Sequence, residues 1–564
     1  MLNKLKKSKT KIAFILIGIF SVIWFLIRVI PKPSRAAYPC QRAAFPFASA
    51  FIIWIVGLFS GKYFLEKARY SFKNLNYLLV ILFLAASIAS FSLITIPFSS
   101  VNASFSHVKE VFTPSDNPNN PIGVAKGIFP GRVVWCYDPN ATNWSGITGT
   151  SAVDLEKRAN SSESNGDWFA DGNILQSEVD KMISQSISQL TGKNSDEKSW
   201  EAIFKYFNKI HQKGEIGYRQ GEKIAVKINL NTSNTHNKMT DANLISPQMV
   251  LGLLRQLVNK AKVPPGLITF YDVTRQIPST IFDLCKKDFP DVRFVDKVGG
   301  DGRIFGVLDP ESQIKWSQKL VIEPRSNPAN PAFLPTCVTE AQYLINFGNL
   351  KAHSLAGISI CSKNHLGSII SPNSKNLQAA VSAGIHPNLA VRTSDGYQIQ
   401  SMKTYNVLVD LMGDKHLGGN TLLYLVDGLY VPRSQGDKLD FKCKWKSTPF
   451  SGNWTSSFFA SLDNVAIESV CLDFLRSEQA VSEEMTRVTG NVDNYLHEAA
   501  LANNPPSGTF YHPNDSTRLE SLGVHEHWNN EIEKKYSRNL GTGKGIELIS
   551  ILKKRVSKTS LSNN

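Results

Sequence analysis

Residues 222–231 have the sequence EKIAVKINLN, residues 246–261 SPQMVLGLLRQLVNKA, and residues 267–273 LITFYDV. The first and third segments are short apolar runs rich in β-branched or aromatic residues, as is typical of buried strands. The middle segment has apolar residues at helical spacing. A strand, a helix and a second strand in this order predict a βαβ unit with two parallel strands. These three segments therefore predict an α/β fold.

The same alternation continues on both sides of this unit. Helical patterns cover 174–192, 199–214 and 277–289, and strand patterns cover 131–138, 292–296, 341–350 and 421–430. Together they predict a mostly parallel sheet with helices on both faces.

In parallel sheets, functional groups gather at the carboxyl ends of the strands. Polar residues stand at several predicted strand ends, although any one of them alone is usually a turn or helix cap. They are Asn229, Asn231, Asp272, Arg275, Lys351, His353 and Asp427.

Three apolar runs precede the α/β region, over 12–30, 43–60 and 77–98. Their lengths predict three transmembrane helices, because a spanning helix needs about 17–25 mostly apolar residues. The second run is the shortest, and a buried or interfacial helix is the alternative for it. The predicted fold class is thus α/β with an N-terminal transmembrane α-helical segment.

The positive charge of the chain is concentrated around these runs. Residues 1–76 contain 13 Lys and Arg and a single acid, Glu66, so 49 bases and 46 acids remain for the rest. Such a distribution indicates membrane topology rather than nucleic-acid binding. It predicts a multi-pass protein of the inner (cytoplasmic) membrane, with its N-terminus in the cytoplasm and its main domain extracytoplasmic.

The remaining chain divides into three parts by composition. Residues 101–122 are rich in Ser, Asn and Pro, which indicates a linker, and residues 123–545 form the predicted α/β domain. Residues 546–564 are predicted to be a basic disordered tail. The six cysteines beyond the membrane region include no C-x-x-C pair, so no iron–sulfur cluster is predicted. Disulfides and buried thiols both remain open for them.

One string, NLKAHSLAGISICSKNHLGSI at 349–369, brings cationic and amide side chains close to small residues. Candidate substrate-binding residues are Lys227, Asn229, Lys351, Asn364 and Asp427. Lysines in a cleft suit an anionic small molecule that carries a carboxylate or phosphate. The alternative is that these lysines face solvent and that the histidine is a cap.

A second string, LGVHEHWNN at 522–530, predicts a divalent metal site. Its candidate ligands are His525, Glu526, His527 and His512, with Asp515, His497 and Glu498 near them in the sequence. Two imidazoles at i and i+2 lie on one side of an extended segment. The alternative is that these histidines brace the C-terminal region by hydrogen bonds.

Asp463 and Glu468 begin a predicted helix and could form an acid–base pair, or simply be an N-cap and a helix carboxylate. If the protein is catalytic, His353 is expected to act as base or metal ligand. Asp463 and Lys363 would then complete the catalytic set.

These strings, together with GIFPGRVVW, YLVDGLY and NYLHEAALANNPPSGTFY, resemble the domain of unknown function 362 family. PCQRAAFPFAS (39–49) is similar to its long membrane-anchored bacterial form. The resemblance implies no established reaction. Some relatives carry ferredoxin-type cysteine clusters, which this chain lacks, and Asn464 replaces a proline of the family's core motif.

The sequence thus predicts a membrane-anchored protein of uncharacterised activity, either a metal-dependent or a redox-related enzyme that acts on an anionic small molecule. The alternative is a non-catalytic binding or scaffold protein of the bacterial envelope. Convergence of His353, Lys363, Asp463 and the 525–527 triplet in one cleft would favour the enzyme, whereas scattering of these residues over the surface would exclude it.

Overall fold

The structure is a computed structural model. It describes residues 39–74, 76–92, 116–148, 166–231, 233–237, 239, 244–320, 331–370, 385–393, 396–482, 488 and 491–556, with a few positions between 19 and 27. The chain divides into two compact units, Met1–Val111 and Phe112–Asn564.

The first unit contains helices α1 (Pro39–Lys73) and α2 (Tyr77–Ser92). The hydroxyl of Ser87 in α2 donates a hydrogen bond to the carbonyl of Gly61 in α1 over 2.9 Å. Among the described residues, no helix combines the length and the apolar character that crossing a membrane requires. The predicted transmembrane segment is therefore not supported, and the first predicted span, 12–30, lies largely outside the described residues.

The second unit alternates strands and helices. Its strands are β1 (Ile122–Gly123), β2 (Arg132–Tyr137), β3 (Ile224–Ile228), β4 (Ile268–Asp272), β5 (Arg293–Asp296), β6 (Ile304–Phe305), β7 (Tyr343–Asn349), β8 (Ala352–His353), β9 (Gly357–Ile358), β10 (Ala390–Thr393), β11 (Gly396–Ile399), β12 (Thr421–Gly428), β13 (Ser457–Ser461), β14 (Val524–His525) and β15 (Glu547–Leu552). Its helices are α3 (Gln176–Thr191), α4 (Asp196–Ile210), α5 (Pro247–Arg255), α6 (Ser279–Asp288), α7 (Thr336–Thr339), α8 (Cys361–Asn364), α9 (Val407–Gly413), α10 (Asn464–Val481) and α11 (Asp493–Ala500).

Local sequence accounts for several of these boundaries. Gly192 ends α3 in the left-handed conformation at φ 66°, which glycine adopts without steric cost. Ser195 then begins α4, because its side chain accepts a hydrogen bond from the Lys198 N–H. A π-helical turn, Gln256–Lys260, extends α5, and a 3-10 helix, His365–Ser368, follows α8.

Nine strands form one sheet in the order β15-β2-β13-β12-β7-β3-β4-β5-β6. Strand β13 is antiparallel to both of its neighbours, and every other pairing is parallel. The prediction of an α/β fold with a mostly parallel sheet is therefore confirmed. The carboxyl ends of the parallel strands meet at one edge of the sheet.

Helices cover both faces of this sheet. Helices α3 to α6 share one hydrophobic core with Val226 and Ile345, and helices α8 to α11 share the other core with Ala225 and Leu344. The connection after β3 runs over the first face, whereas the connection after β7 runs over the second. Strands β3 and β7 therefore flank a topological switch point, where α/β proteins commonly bind ligands.

Two predicted boundaries are wrong. The expected disordered tail contains β15, which pairs with β2 at the edge of the sheet because ELISIL supplies apolar side chains toward the core. The expected linker is also partly ordered on the domain: Ile122 pairs with His525, and the Asn119 N–H donates to the carbonyl of His527 over 2.9 Å.

Candidate functional site

A small polar pocket of about 80 Å³ lies at the carboxyl ends of β3 and β4, beside the segment that follows β7. It is therefore located at the switch point of the sheet. Its lining residues are Asn229, Asn231, Asp272, Thr274, Arg275, His353, Ser359, Lys363, Asn364, Leu366, Gly367 and His386. We call it the cationic pocket, because Arg275 and Lys363 line it.

Lys227 forms the floor beneath this pocket. Its neighbours Val226 and Ile228 enter one core, so strand alternation directs Lys227 to the opposite face. The fully buried ammonium donates to Asp272 Oδ2 over 3.0 Å and to Asn364 Oδ1 over 3.1 Å. Burial lowers the pKa of Lys227, and the carboxylate of Asp272 opposes that shift. A charge inside a strand is thus held by a specific partner.

Gly367 allows the 3-10 helix after α8 to approach this ammonium. A Cβ at position 367 would lie 2.6 Å from Lys227 Nζ and 2.9 Å from Asp272 Oδ2. Any larger residue would therefore displace the ion pair.

The partner of a second buried lysine, Lys351, among the described residues is a neutral amide. Its ammonium donates to Asn229 Oδ1 over 2.7 Å and is fully shielded from solvent. Burial lowers its pKa to about 7, and the positive charges of Lys363 and Lys227 contribute to that shift.

Lys363 and Arg275 complete the positive charge of the pocket. The half-buried Lys363 has no hydrogen-bond or ion-pair partner within the described part of the chain. Burial, followed by repulsion from Arg275, lowers the pKa of Lys363 to about 7. Arg275 donates hydrogen bonds to the backbone carbonyls of Asn231 and Thr274, and both of these acceptors are neutral.

His353 faces the pocket as an uncharged donor. Its Nδ1 accepts a hydrogen bond from the Leu355 N–H over 3.0 Å, so the neutral ring carries its proton on Nε2. Burial, and next the charge of Lys363, keep the pKa of His353 well below its ordinary value. The ring stacks on His386 with centroids 6.0 Å apart. Because the Nδ1 lone pair is occupied, this geometry favours hydrogen-bond donation over the predicted role as a base.

The predicted substrate-binding residues largely converge here. Asn364 accepts hydrogen bonds from Lys227 and, over 3.2 Å, from Asn229 Nδ2, and Asn229 in turn accepts from Lys351. Asp427 does not line the pocket. Its carboxylate accepts from the backbone N–H of Ser246 and of Leu429 at the end of β12, so it orders the start of α5.

The predicted catalytic Asp463 also lies elsewhere. Strand β13 runs against the parallel strands, so its carboxyl end, with Asp463, emerges at the opposite edge of the sheet. There Asp463 caps α10 by accepting from the Ala466 N–H, and it also accepts from the N–H groups of Lys126 and Val524. Burial raises the pKa of Asp463 to about 6.

Glu468 is likewise committed to buried contacts. It accepts from the Ser362 N–H over 2.6 Å and from the hydroxyl of Tyr495. Glu468 therefore joins α10 to α8, which carries Lys363, and to α11. It does not form an acid–base pair with Asp463.

The histidines of the 525–527 triplet form a second cluster. Ligand atoms of His525, His527 and Asp116 all lie within 4.8 Å of one another. His497 Nε2 lies 2.5 Å from Asp116 Oδ2. Burial lowers the pKa of His525 to about 4. Burial also opposes protonation of His527, but the carboxylates of Asp473 and Asp493 outweigh it and raise that pKa to about 10.

The other two predicted metal ligands lie outside this cluster. Glu526 alternates to the far side of the segment, where its carboxylate accepts from Ser537 and from the Ile546 N–H. His512 Nδ1 contacts the carbonyl of Phe510 over 2.6 Å. The cationic pocket and the histidine cluster share no residue, so the convergence that would favour the enzyme is found only for His353 and Lys363.

Sequence reasoning missed Asp116 and His386. Asp116 is one acid within the polar string TPSDNPNNP, which has the composition of a linker and no ligand spacing. His386 stands alone in the sequence, and its stacking on His353 could not be inferred from spacing.

Comparison with known proteins gives one match. No curated protein matches the chain. Residues 224–473 match the family model described as Domain of unknown function (DUF362), and this range contains every residue of the cationic pocket. Over this range the chain is similar to that family.

Proposed function

We propose that this domain binds an anionic small molecule through a phosphate or carboxylate group in the cationic pocket. In this proposal Lys363 exchanges a proton with the ligand, as the acid–base group of an enzyme. The observation that carries the proposal is the uncompensated charge of Lys351, Lys363 and Arg275 around one pocket.

The charge balance supports an anion as the ligand. When all are protonated, Lys227, Lys351, Lys363 and Arg275 bring four positive charges, while Asp272 is the carboxylate paired with them among the described residues. Buried charge without a counter-charge is costly, by several kcal/mol per ion. A bound anion would supply the missing counter-charge, and charge-assisted hydrogen bonds are the strong ones.

The volume of the pocket and its hydrogen-bond donors restrict the class of ligand that can bind. A volume of about 80 Å³ suits one anionic group rather than a whole nucleotide. Ammonium, guanidinium and imidazole N–H groups are donors, and they match the acceptor oxygens of phosphate or carboxylate.

The acid–base role rests on Lys363. Burial and the charge of Arg275 lower the pKa of Lys363 to about 7, so its ammonium gives up a proton more readily than that of an exposed lysine. Perturbed pKa values in a cleft are frequent at functional sites. A non-catalytic binding protein would use the same cations without needing this proton exchange.

Isothermal titration of the full chain with inorganic phosphate tests the binding. We expect Lys363→Met and Arg275→Met each to weaken phosphate binding at least about tenfold, the loss of one charge-assisted contact. Lys198→Met is the matched control, because Lys198 is an exposed lysine at the start of α4 and does not line the pocket. Equal phosphate affinity in Lys363→Met and the parent chain would refute the proposal.

We also propose the location that the sequence predicts, with the N-terminal runs in the membrane and the second unit outside the cytoplasm. Five lysines precede the first run and four basic residues lie within 62–73, the two segments that this orientation places in the cytoplasm. An alkaline phosphatase fused after residue 105 should be active in cells. An inactive phosphatase fusion and a fluorescent GFP fusion at the same point would reverse the orientation.

A further inference from the structure

We propose that Asp116, His525 and His527 bind a divalent transition-metal ion with the ligand preferences of Zn²⁺. The carboxylate of Asp116 would bind through Oδ2, and each imidazole would bind through Nε2. This site is independent of the cationic pocket and of the function proposed for it.

The hydrogen bonds of His525 leave its Nε2 lone pair ready for a metal. Ser469 Oγ donates its single proton to the Val465 carbonyl over 2.7 Å. The same hydroxyl lies 2.8 Å from His525 Nδ1, so it must accept a proton from that nitrogen. The lone pair of the neutral ring is therefore on Nε2, which is buried and lacks a hydrogen-bond partner in the described chain.

His527 is oriented in the same way by a carboxylate. Its Nδ1 lies 2.6 Å from Asp473 Oδ1, while the other oxygen of Asp473 accepts from the Trp528 N–H and the Tyr536 hydroxyl. His527 Nε2 is also buried, makes no hydrogen bond to the described residues and lies 3.5 Å from Asp493 Oδ1. The carboxylates of Asp473 and Asp493 favour a proton on this ring, and a metal ion at Nε2 would take the place of that proton. A carboxylate on the far nitrogen of a histidine is the usual outer contact of metal-binding imidazoles.

The charges around the cluster favour a cation. Asp116 and Asp473 are both acidic, and a third carboxylate, Asp493, lies beside His527 and accepts two hydrogen bonds from Arg476. The histidine cluster therefore has the opposite electrostatic character to the cationic pocket.

The distances are close to those of a zinc site. Bonds of about 2.0–2.1 Å from a tetrahedral zinc to nitrogen place neighbouring ligand atoms roughly 3.4 Å apart. His525 Nε2 and Asp116 Oδ2 are 3.4 Å apart, and the whole set lies within 4.8 Å. His497, which lies against the same oxygen of Asp116, is placed to orient that carboxylate.

Such an ion would join distant parts of the second unit. It would tie the segment at Asp116 to β14, while Ser469 and Asp473 link the two imidazoles to α10. The expected effect of the metal is therefore higher stability of this region, rather than a change in the pocket.

Zinc chloride titrated into the chelator-treated full chain, followed by calorimetry, is the direct test. We expect one Zn²⁺ per chain and a rise in melting temperature. Asp116→Asn should weaken zinc binding at least about tenfold, because it removes the charge of the only carboxylate ligand in the set. His512→Gln is the control, since His512 lies outside the cluster.

Cobalt substitution supplies an independent measurement. The visible spectrum of the Co²⁺ form should change in His525→Gln but not in His512→Gln. Absence of stoichiometric zinc binding by the parent chain would overturn the proposal. Unchanged zinc affinity in a folded Asp116→Asn variant would also overturn it. Phosphate binding to the cationic pocket should be the same in all of these variants, so failure here is distinguishable from failure of the proposed function.

Discussion

At the scale of single residues, the unusual feature is a group of lysines that are shielded from solvent and have too few carboxylates beside them to balance their charge. Lysine in a strand is ordinarily a solvent-facing residue, yet Lys227 is fully buried against Asp272. The sequence correctly indicated that a lysine within an apolar strand needs either an edge position or a partner. It could not indicate which acid, because the partner lies 45 positions further along the chain.

Anion binding should depend on pH in a defined direction. Lys363 and Lys351 have pKa values of about 7, and only the protonated form below that value attracts an anion. Sulfate keeps its charge across this range, so its affinity should fall at least about fivefold from pH 6 to pH 8.5. Calorimetry at both pH values measures this change, and Lys363→Met should reduce it. A pH-independent affinity would show that these lysines do not hold the anion.

At the scale of elements, the Lys227–Asp272 pair joins β3 to β4. Lys227→Met should lower the free energy of unfolding by about 3–5 kcal/mol, because it leaves a buried carboxylate without its counter-charge. Urea denaturation measures the loss. The double variant Lys227→Met with Asp272→Asn should lose less than the sum of the two single variants. Strictly additive losses would mean that the two groups do not interact.

Asp463, unlike the residues of the cationic pocket, has a structural role: it joins the start of α10 to the segments at Lys126 and Val524. Asp463→Ala removes the cap of α10 and leaves the N–H groups of Lys126 and Val524 without their acceptor. We expect the free energy of unfolding to fall by about 2–4 kcal/mol. Phosphate affinity should stay within about twofold. A folded Asp463→Ala protein that no longer binds phosphate would instead return Asp463 to the site.

Helices and strands with strong hydrophobic periodicity were predictable from the sequence. The direction of a strand and its position at the edge of the sheet were not. The β3–α5–β4 unit and β7 follow from apolar runs and helical spacing. The reversal of β13 leaves no trace in its composition, because a buried strand looks alike in either direction. Because of that reversal, Asp463 lies at the end of the strands opposite to the cationic pocket.

At the scale of the whole molecule, the second unit holds two sites of opposite charge. The cationic pocket was largely predictable, because residues at the ends of parallel strands share an edge of the sheet. The histidine cluster was predictable only in part. His525 and His527 are two apart in an extended segment, but Asp116 lies 409 positions before His525 and reaches it only through the folded chain.

The central claim is that the cationic pocket binds a tetrahedral or planar anion, and anomalous diffraction from crystals of the full chain with selenate tests it most directly. We predict a selenium peak within hydrogen-bond distance of Lys363 Nζ and the guanidinium of Arg275. Selenate bound elsewhere on the molecule, with the pocket free of it at saturating concentration, would contradict the account.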